Sequence, residues 1–146
     1  MEKIKIKLIR QTSKTPTYGS DHAAGADIYA DIEHDIEILP HQTVMIPSGF
    51  AIEIPEGYAG FVYPRSGMAS KRGLASANKV GVIDSDYRGE VIVALHNHSD
   101  VPAVLSPGER VAQLIIAPVF TPGFELADEL SDTTRGSGGF GSTGYK

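Results

Sequence analysis

The chain has 146 residues, which is enough for one domain with a core of its own and too few for two. It contains no cysteine, which excludes a disulfide framework and a thiolate metal site. Its formal net charge of -5 argues against broad nucleic-acid binding, because such binding needs a basic face that displaces counterions from many phosphates.

The composition favours an all-β fold. With 16 glycines, 9 prolines and no long apolar stretch at helical spacing, the chain is typical of short strands joined by tight turns. The N-terminus alternates charged and apolar residues and holds no apolar block long enough for a signal peptide or a membrane span. We therefore expect a soluble, cytoplasmic protein with no membrane partner and no nucleic-acid partner.

The predicted elements begin with residues 3–9, whose period of two places Ile4, Ile6 and Leu8 on one face of a strand. Residues 15–20 are predicted as a loop, and Asp27 is an unexpected acid among small side chains in residues 23–30. Proline- and glycine-rich turns separate the further strand-like runs, whose spacing predicts a sandwich or barrel. These runs are residues 36–39, 43–46, 50–54, 59–63, 101–105 and 111–119, the last two as a strand pair.

One short helix is predicted over residues 66–73, with Ser66 at its start, basic residues late and Gly73 as its stop. No internal repeat occurs. We expect a single domain over residues 1–146, with a core over about residues 1–122 and a C-terminal arm and phosphate lid over about residues 123–146.

Residues 81–89 (GVIDSDYRG) place two carboxylates, a phenol and a guanidinium between two glycines. Apolar Val82 and Ile83 precede this stretch and the apolar run 91–95 follows it, so it is predicted as the bend of a hairpin with a polar tip. A solvated Asp/Gly turn is the alternative interpretation.

The glycine-rich residues 135–146 fit either a flexible linker or a phosphate lid. A linker gives no reason for Arg135 or for Phe140 at its centre, and successive glycine N–H groups can converge on phosphate oxygens. We interpret the segment as a phosphate lid.

Two further polar features have both a structural and a ligand-binding interpretation. The loop 63–67 (YPRSG) offers a fork of N–H donors and a hydroxyl, which suits phosphate, although an arginine at a surface turn would look the same. Gln113 is a lone amide in an apolar strand, hence either a satisfied core group or a ligand contact. His96 and His98 lack the further ligands that a metal site needs.

Taken in order, five segments resemble the five motifs of the homotrimeric dUTPases, and the resemblance covers nearly the whole chain. The segments are residues 24–28 (AGADI), 64–67 (PRSG), 81–89 (GVIDSDYRG), 108–115 (GERVAQLI) and 135–144 (RGSGGFGSTG). The resemblance implies a jelly-roll-like β-barrel and a homotrimer whose active sites lie between subunits, each closed by a C-terminal tail. It also implies Mg²⁺-assisted hydrolysis of dUTP to dUMP and pyrophosphate through water attack on the α-phosphorus. That activity would limit uracil incorporation into DNA and supply dUMP for dTMP synthesis.

The resemblance also assigns residues. Asp84 is expected to orient and deprotonate the water, which suits a carboxylate general base. Asp27 is expected to contact the Mg²⁺ hydration shell, with no direct protein ligand to the metal. The phosphate-binding set comprises Arg65, Ser66, Gly67, Gln113 and, at the γ-phosphate, Arg135.

Uracil recognition is expected from residues 81–83, from neighbours on either side of them and from the C-terminal tail. The Asn78 amide and nearby backbone groups would accept uracil and reject cytosine, whose position 4 carries a donor. Tyr87 is expected to pack under the deoxyribose and exclude a 2′-hydroxyl, and Phe140 to stack on the base. The remaining members of the substrate-binding set are Gly81, Val82, Ile83, Ile92 and Gly141.

Two other functions stay open at this stage. A dCTP deaminase of the same fold would carry a glutamate on the strand after the hairpin, but that place falls on Ala94. A noncatalytic trimer that binds nucleotide or a protein partner is the second alternative, and the sequence gives it no support.

Overall fold

The computed structural model describes residues 3–140, and over this range the chain forms twelve short strands and one helix. The all-β prediction with a single short helix is confirmed. The strands are β1 Lys5–Leu8, β2 Thr17–Tyr18, β3 Ala26–Tyr29, β4 Ile36–Ile38, β5 Thr43–Pro47, β6 Phe50–Glu53, β7 Tyr58–Pro64, β8 Leu74–Ser76, β9 Gly81–Ile83, β10 Ile92–Asn97, β11 Ala103–Leu105 and β12 Arg110–Pro118, and the helix α1 is Ser66–Arg72.

The strands form four antiparallel sheets within the described residues. The largest has the order β2-β3-β12-β7-β9, and a second has the order β5-β10-β8. Two pairs, β1 with β6 and β4 with β11, complete the arrangement. The strands therefore wrap the core as separate sheets, without one continuous hydrogen-bonded ladder through residues 3–140.

The core is built from alternating apolar side chains that the sheets turn inward. Aliphatic residues and one phenylalanine dominate it, because branched side chains pack well on a pleated surface. Ile4 and Ile6 of the N-terminal strand pack against this core as predicted, whereas Leu8 on the same strand is 44% exposed. The largest fully buried apolar side chains are Phe50, Ile28, Ile38, Ile46, Leu74, Leu95, Leu105, Val93 and Val111.

The helix α1 ends as the sequence predicts. Gly73 adopts φ 65° and ψ 15°, the left-handed conformation that glycine takes most readily, and its N–H donates to the Met68 carbonyl. Lys71 and Arg72 occupy the last turn, where the helix dipole favours cations. Met68 anchors the helix in the core.

Two predicted strand pairings are wrong. β9 pairs with β7, and β10 pairs with β5 and β8, so residues 84–91 cross from one sheet to another and do not form the bend of a hairpin. Likewise β11 pairs with β4 whereas β12 pairs with β3 and β7. Local alternation identifies a strand, but its partner is chosen by tertiary packing.

One further element differs from the prediction. Residues 17–18, predicted as loop, form β2 at the edge of the largest sheet. After β12, residues 120–140 contain no strand or helix and carry exposed large apolar side chains. None of the helices in the described range has the length and apolar character needed to cross a membrane.

Candidate active site

A cavity of about 230 Å³ lies between the 84–91 crossover and strands β9 and β10. We call it the turn cavity. It brings together seven residues that the sequence singled out. These are Asn78, Gly81, Val82, Ile83, Asp84, Tyr87 and Ile92.

Two polar side chains of the turn cavity are available to a ligand. Asn78 is exposed and lies beside Gly81, where an added Cβ would be 3.4 Å from the Asn78 Nδ2 atom. Within residues 3–140, neither the Asn78 amide nor the exposed Asp84 carboxylate takes part in a side-chain hydrogen bond or ion pair. Asp84 also lines a larger groove of about 870 Å³, so its carboxylate stands where the two spaces meet.

The crossover holds its own shape through backbone acceptors. The Tyr87 hydroxyl donates to the Glu90 carbonyl at 2.9 Å, which folds the ring back over Gly89. A Cβ on Gly89 would lie 2.4 Å from the Tyr87 Oη atom, so only glycine leaves room for the ring. Arg88 donates to the carbonyls of Ser85 and Tyr87 and therefore braces the turn without a carboxylate partner.

An ion-pair network supports the turn cavity from behind. Arg10 donates through Nε to Asp31 at 2.8 Å and through both terminal nitrogens to Glu90, which lines the cavity. Glu90 also accepts the Gly49 N–H at 2.8 Å. These carboxylates raise the pKa of Arg10 above its usual value, the hydrogen bond to Glu90 contributing most.

Asp31 is the buried anchor of this network, its side chain only 5% exposed. Burial by itself would raise the pKa of the Asp31 carboxyl, but hydrogen bonds from Thr12, Ser13 and Arg10 together outweigh burial and lower it. The N-terminal segment is thereby fixed to the base of the 84–91 crossover.

A second group of polar side chains, which we call the arginine cluster, lies on strands β3 and β12 and the residue before α1. The buried Asp27 carboxylate accepts from Arg65 Nε at 2.8 Å and from Arg110 Nη1 at 3.1 Å. Two guanidinium groups around one carboxylate leave one net positive charge. Arg65 makes its hydrogen bond through Nε only, so its terminal N–H groups face no acceptor in the described part of the chain.

Gln113 joins three of the five motifs. Its register on β12 lies opposite Asp27 on β3 and Tyr63 on β7, and its amide donates to the Pro64 carbonyl at 3.1 Å. A Cβ on Gly25 would lie 2.7 Å from the Gln113 Oε1 atom, which accounts for glycine in residues 24–28. The Gln113 amide N–H is thus satisfied by the residue that precedes Arg65.

The first turn of α1 adjoins the arginine cluster. Ser66 and Gly67 are exposed there, and a Cβ on Gly67 would meet no atom within 4 Å. Backbone N–H groups in the first turn of a helix have no intrahelical acceptor. The loop that precedes α1 therefore presents N–H donors beside the guanidinium of Arg65.

The turn cavity and the arginine cluster do not share a cavity within one chain. No residue of the arginine cluster lines the turn cavity. The tail, residues 119–140, meets neither: Arg135 donates to its own neighbour Gly138 at 2.8 Å, and Phe140 is fully exposed. Phe120, Phe124, Leu126 and Leu130 on the tail are also at least 89% exposed. Gly141 lies outside the described residues.

The described residues build no metal cage. In residues 3–140 there is no group of three His, Cys, Asp or Glu side chains placed to hold a metal ion. Both Asp27 oxygens accept hydrogen bonds from arginine, so its charge is already offset. The contact of Asp27 with a Mg²⁺ hydration shell and the absence of a direct protein ligand to the metal both stay predictions.

Sequence reasoning missed Arg110 and Glu90. Arg110 lies in the segment 108–115, which resembles a family motif. A buried carboxylate such as Asp27 needs a cationic partner, so the sequence could have pointed to Arg110. Glu90 follows residues 81–89 directly, but its partner Arg10 is 80 residues away in sequence and no local pattern links them.

Known proteins resemble this chain in both sequence and fold. The dUTPase family model matches residues 11–144. A deoxyuridine 5'-triphosphate nucleotidohydrolase of Desulfitobacterium hafniense is 52% identical over 145 residues, which cover 97% of this chain and 96% of that protein. A mutant dUTPase of Staphylococcus bacteriophage 80alpha with dUpNHpp superposes with a TM-score of 0.90 at 27% identity and 99% coverage of both chains. A mutant dUTPase of phage phi11 of S. aureus, whose structure reveals the coordination of a structural Mg(II) ion, has a TM-score of 0.77 at 25% identity, covering 88% of this chain and 98% of that one.

Proposed function

The chain belongs to the dUTPase family and hydrolyses dUTP to dUMP and pyrophosphate, and from that premise we propose how its residues divide the reaction. One observation carries the assignment. The Asp84 carboxylate and the Asn78 amide, both without a side-chain partner in residues 3–140, line one cavity of about 230 Å³ together with Tyr87, which its hydroxyl holds in place.

Asp84 is the general base. Its carboxylate makes no ion pair in residues 3–140 that would hold it away from a ligand, and it stands where the turn cavity opens into the larger groove. It takes a proton from the water whose oxygen attacks the α-phosphorus. The bond from that phosphorus to the bridging oxygen breaks, and pyrophosphate leaves with the electron pair.

The turn cavity takes the nucleoside. Asn78 and the backbone of β9 face the pairing edge of uracil, and an amide can match the acceptor–donor–acceptor pattern that cytosine does not present. Tyr87 lies under the sugar, because its hydroxyl is tied to the Glu90 carbonyl and the ring cannot swing aside for a 2′-hydroxyl.

The arginine cluster takes the phosphates. The free N–H groups of Arg65, the N–H donors of Ser66 and Gly67, and the net positive charge around Asp27 together suit a polyphosphate. In this arrangement Asp27 orients Arg65 through the hydrogen bond to its Nε atom.

We propose a homotrimer because the two halves of the site do not meet in one chain. The nucleoside half of one protomer would face the phosphate half of a second, in keeping with the symmetric closed assemblies that most oligomers form. The tail of a third would supply Arg135 to the γ-phosphate and Phe140 to the base. Its exposed apolar side chains favour burial against other protomers.

Magnesium is the metal that the family implies. When bound, it would neutralise charge on the triphosphate. The chain's own contribution is the arginine cluster, which holds the triphosphate.

Neither alternative function is favoured by the site. Ala94 lines the turn cavity where a deaminase would need a carboxylate to move protons. A noncatalytic binding protein gives no reason for an unpaired Asp84 at the mouth of that cavity.

The deciding experiment measures pyrophosphate release from dUTP, dCTP, dTTP and UTP with Mg²⁺. We expect release from dUTP and a large preference for it over the other three. Ammonia release from dCTP would point to a deaminase, and tight dUpNHpp binding without turnover of any nucleotide would point to a binding protein.

A further inference from the structure

Ser76, at the end of β8, carries the one buried side-chain polar atom in residues 3–140 that has no hydrogen-bond partner. The residue is 2% exposed. A buried hydroxyl without a partner is uncommon, since leaving it unpaired costs the free energy of removing it from water. Such a group calls for a specific explanation.

The position of Ser76 supplies one. It lines the turn cavity together with Asn78, Asp84 and Tyr87. Ser76 lies opposite Leu95 on β10, and the next residue, Ala77, donates its N–H to the Ala94 carbonyl at 2.8 Å. Sheet hydrogen bonds therefore hold the backbone at Ser76, whereas its hydroxyl can rotate about the Cα–Cβ bond.

The buried residues that line the turn cavity beside Ser76 are apolar. Among them, Val62 and Val93 offer no side-chain hydrogen-bond partner. A serine at such a buried position costs free energy unless a polar group enters the cavity. A pyrimidine carries polar groups along its edges.

We infer that the Ser76 hydroxyl rotates toward the turn cavity and forms a direct hydrogen bond with a polar edge of the bound pyrimidine. This inference rests on the proposed function. Because a hydroxyl both donates and accepts, this bond contributes affinity for the base. The choice of uracil over cytosine stays with Asn78 and the backbone of β9. Ser76 is thus a binding residue outside the five segments that resemble family motifs.

The test is Ser76→Ala in the full chain, with steady-state kinetics on dUTP and product inhibition by dUMP and by pyrophosphate. Loss of one neutral hydrogen bond present in both ground state and transition state should raise KM by about 3- to 10-fold and leave kcat unchanged. The inhibition constant of dUMP should rise by the same factor, because dUMP keeps the base. That of pyrophosphate should not change, because pyrophosphate has no base.

Thermal unfolding without ligand provides the structural control. Ser76→Ala removes a hydroxyl that has no partner, so the melting temperature should equal or exceed that of the wild type. Ser48→Ala is the matched variant: Ser48 is 1% exposed, its hydroxyl accepts from the Phe50 N–H at 3.5 Å, and it does not line the turn cavity. It should leave KM and both inhibition constants unchanged.

The remaining outcomes overturn the inference. An unchanged KM and dUMP inhibition constant would remove Ser76 from binding, and an equal rise for pyrophosphate or a drop in melting temperature would show a structural role. The proposed function fails separately, when the wild-type chain neither hydrolyses dUTP nor is bound by dUMP.

Discussion

Arg65 donates to Asp27 across 2.8 Å, from the residue before α1 to the middle of β3, and so links the predicted phosphate loop to the largest sheet. Arg110 holds the second oxygen of the same carboxylate at 3.1 Å. The carboxylate therefore fixes the Nε side of the Arg65 guanidinium and directs its other N–H groups away from the sheet.

Asp27→Asn should disturb this orientation. The amide presents an N–H group to one of the two guanidinium groups and cannot offset their charge. Because misplacing a positioned group by about 1 Å costs up to a hundredfold, kcat/KM for dUTP should fall roughly 10- to 100-fold. Glu53→Gln, which breaks the exposed Lys5–Glu53 pair, is the control and should leave kcat/KM unchanged. An Asp27→Asn enzyme with wild-type kinetics would contradict the orienting role.

Asp84→Asn should separate binding from chemistry. Asparagine keeps the shape of the side chain but cannot accept a proton, so kcat should fall by about 100- to 10,000-fold while dUpNHpp still binds. Asp86→Asn is the matched variant, because Asp86 lines the same larger groove but not the turn cavity. Single-turnover measurements and calorimetric titration with dUpNHpp check both. If Asp84→Asn kept its turnover, another group would have to be the base.

Much of this site was predictable because its segments are local. Residues 81–83, Asp84 and Tyr87 lie close together in sequence, so a compact turn necessarily groups them around one cavity. The strands at residues 36–39 and 43–46 followed from alternation between turns, and the helix from its glycine stop.

The pairing of strands and the partners of charges were not predictable in this way. β9 pairs with β7 and not with β10. Local alternation does not identify the partner of a strand, because the partner depends on how the whole core packs. Arg10 and Glu90 illustrate the same limit, since their contact spans 80 residues. Gln113 had two interpretations from sequence, and the carbonyl of Pro64 shows that its amide is satisfied within the chain.

Gly89→Ala should weaken discrimination against ribose. The new Cβ would lie 2.4 Å from the Tyr87 Oη atom, which forces the ring off the Glu90 carbonyl. With the ring displaced, the preference for dUTP over UTP, measured as a ratio of kcat/KM values, should fall about tenfold. Gly19→Ala is the control, because a Cβ there meets no atom within 4 Å. A wild-type ratio in Gly89→Ala would show that the ring position does not set the preference.

Asp31→Asn should change how stability depends on pH. The folded-state pKa of Asp31 lies below its usual value of 3.8, so its stabilising effect is complete above that value and is lost as pH falls through the folded-state pKa. The free energy of unfolding should drop by about 2 kcal/mol at pH 7, through loss of hydrogen bonds to a charged group. The difference in unfolding free energy between Asp31→Asn and the wild type should stay constant down to about pH 5 and disappear below about pH 4.

Urea unfolding at a series of pH values measures this gap. Asp100→Asn is the control, because the Asp100 side chain is 96% exposed and, within residues 3–140, contacts only His41 as an ion-pair partner. It should unfold like the wild type at pH 7. A gap between Asp31→Asn and the wild type that widened as the pH fell would contradict the assigned sign.

Mixing two inactive variants should restore activity if the site is shared between protomers. Asp84→Asn removes the base from the turn cavity, and Arg65→Ala removes a phosphate donor from the arginine cluster. When the turn cavity of one chain faces the arginine cluster of another, a site built from an Arg65→Ala chain and an Asp84→Asn chain has one intact half from each. Random assembly of equal amounts gives about a quarter of the sites both intact halves, hence about a quarter of wild-type activity.

The mixed trimers are made by refolding or co-expressing the two variants, and light scattering confirms their mass. The double variant Asp84→Asn/Arg65→Ala mixed with an equal amount of the wild type is the control. It should keep about a quarter of wild-type activity if each site is shared between two chains, and about half if both halves of the site lie in one chain. Activity in the single-variant mixture that stays at the level of either variant alone would place both halves of the site in the same chain, and the proposed trimer would have to be abandoned as the catalytic unit.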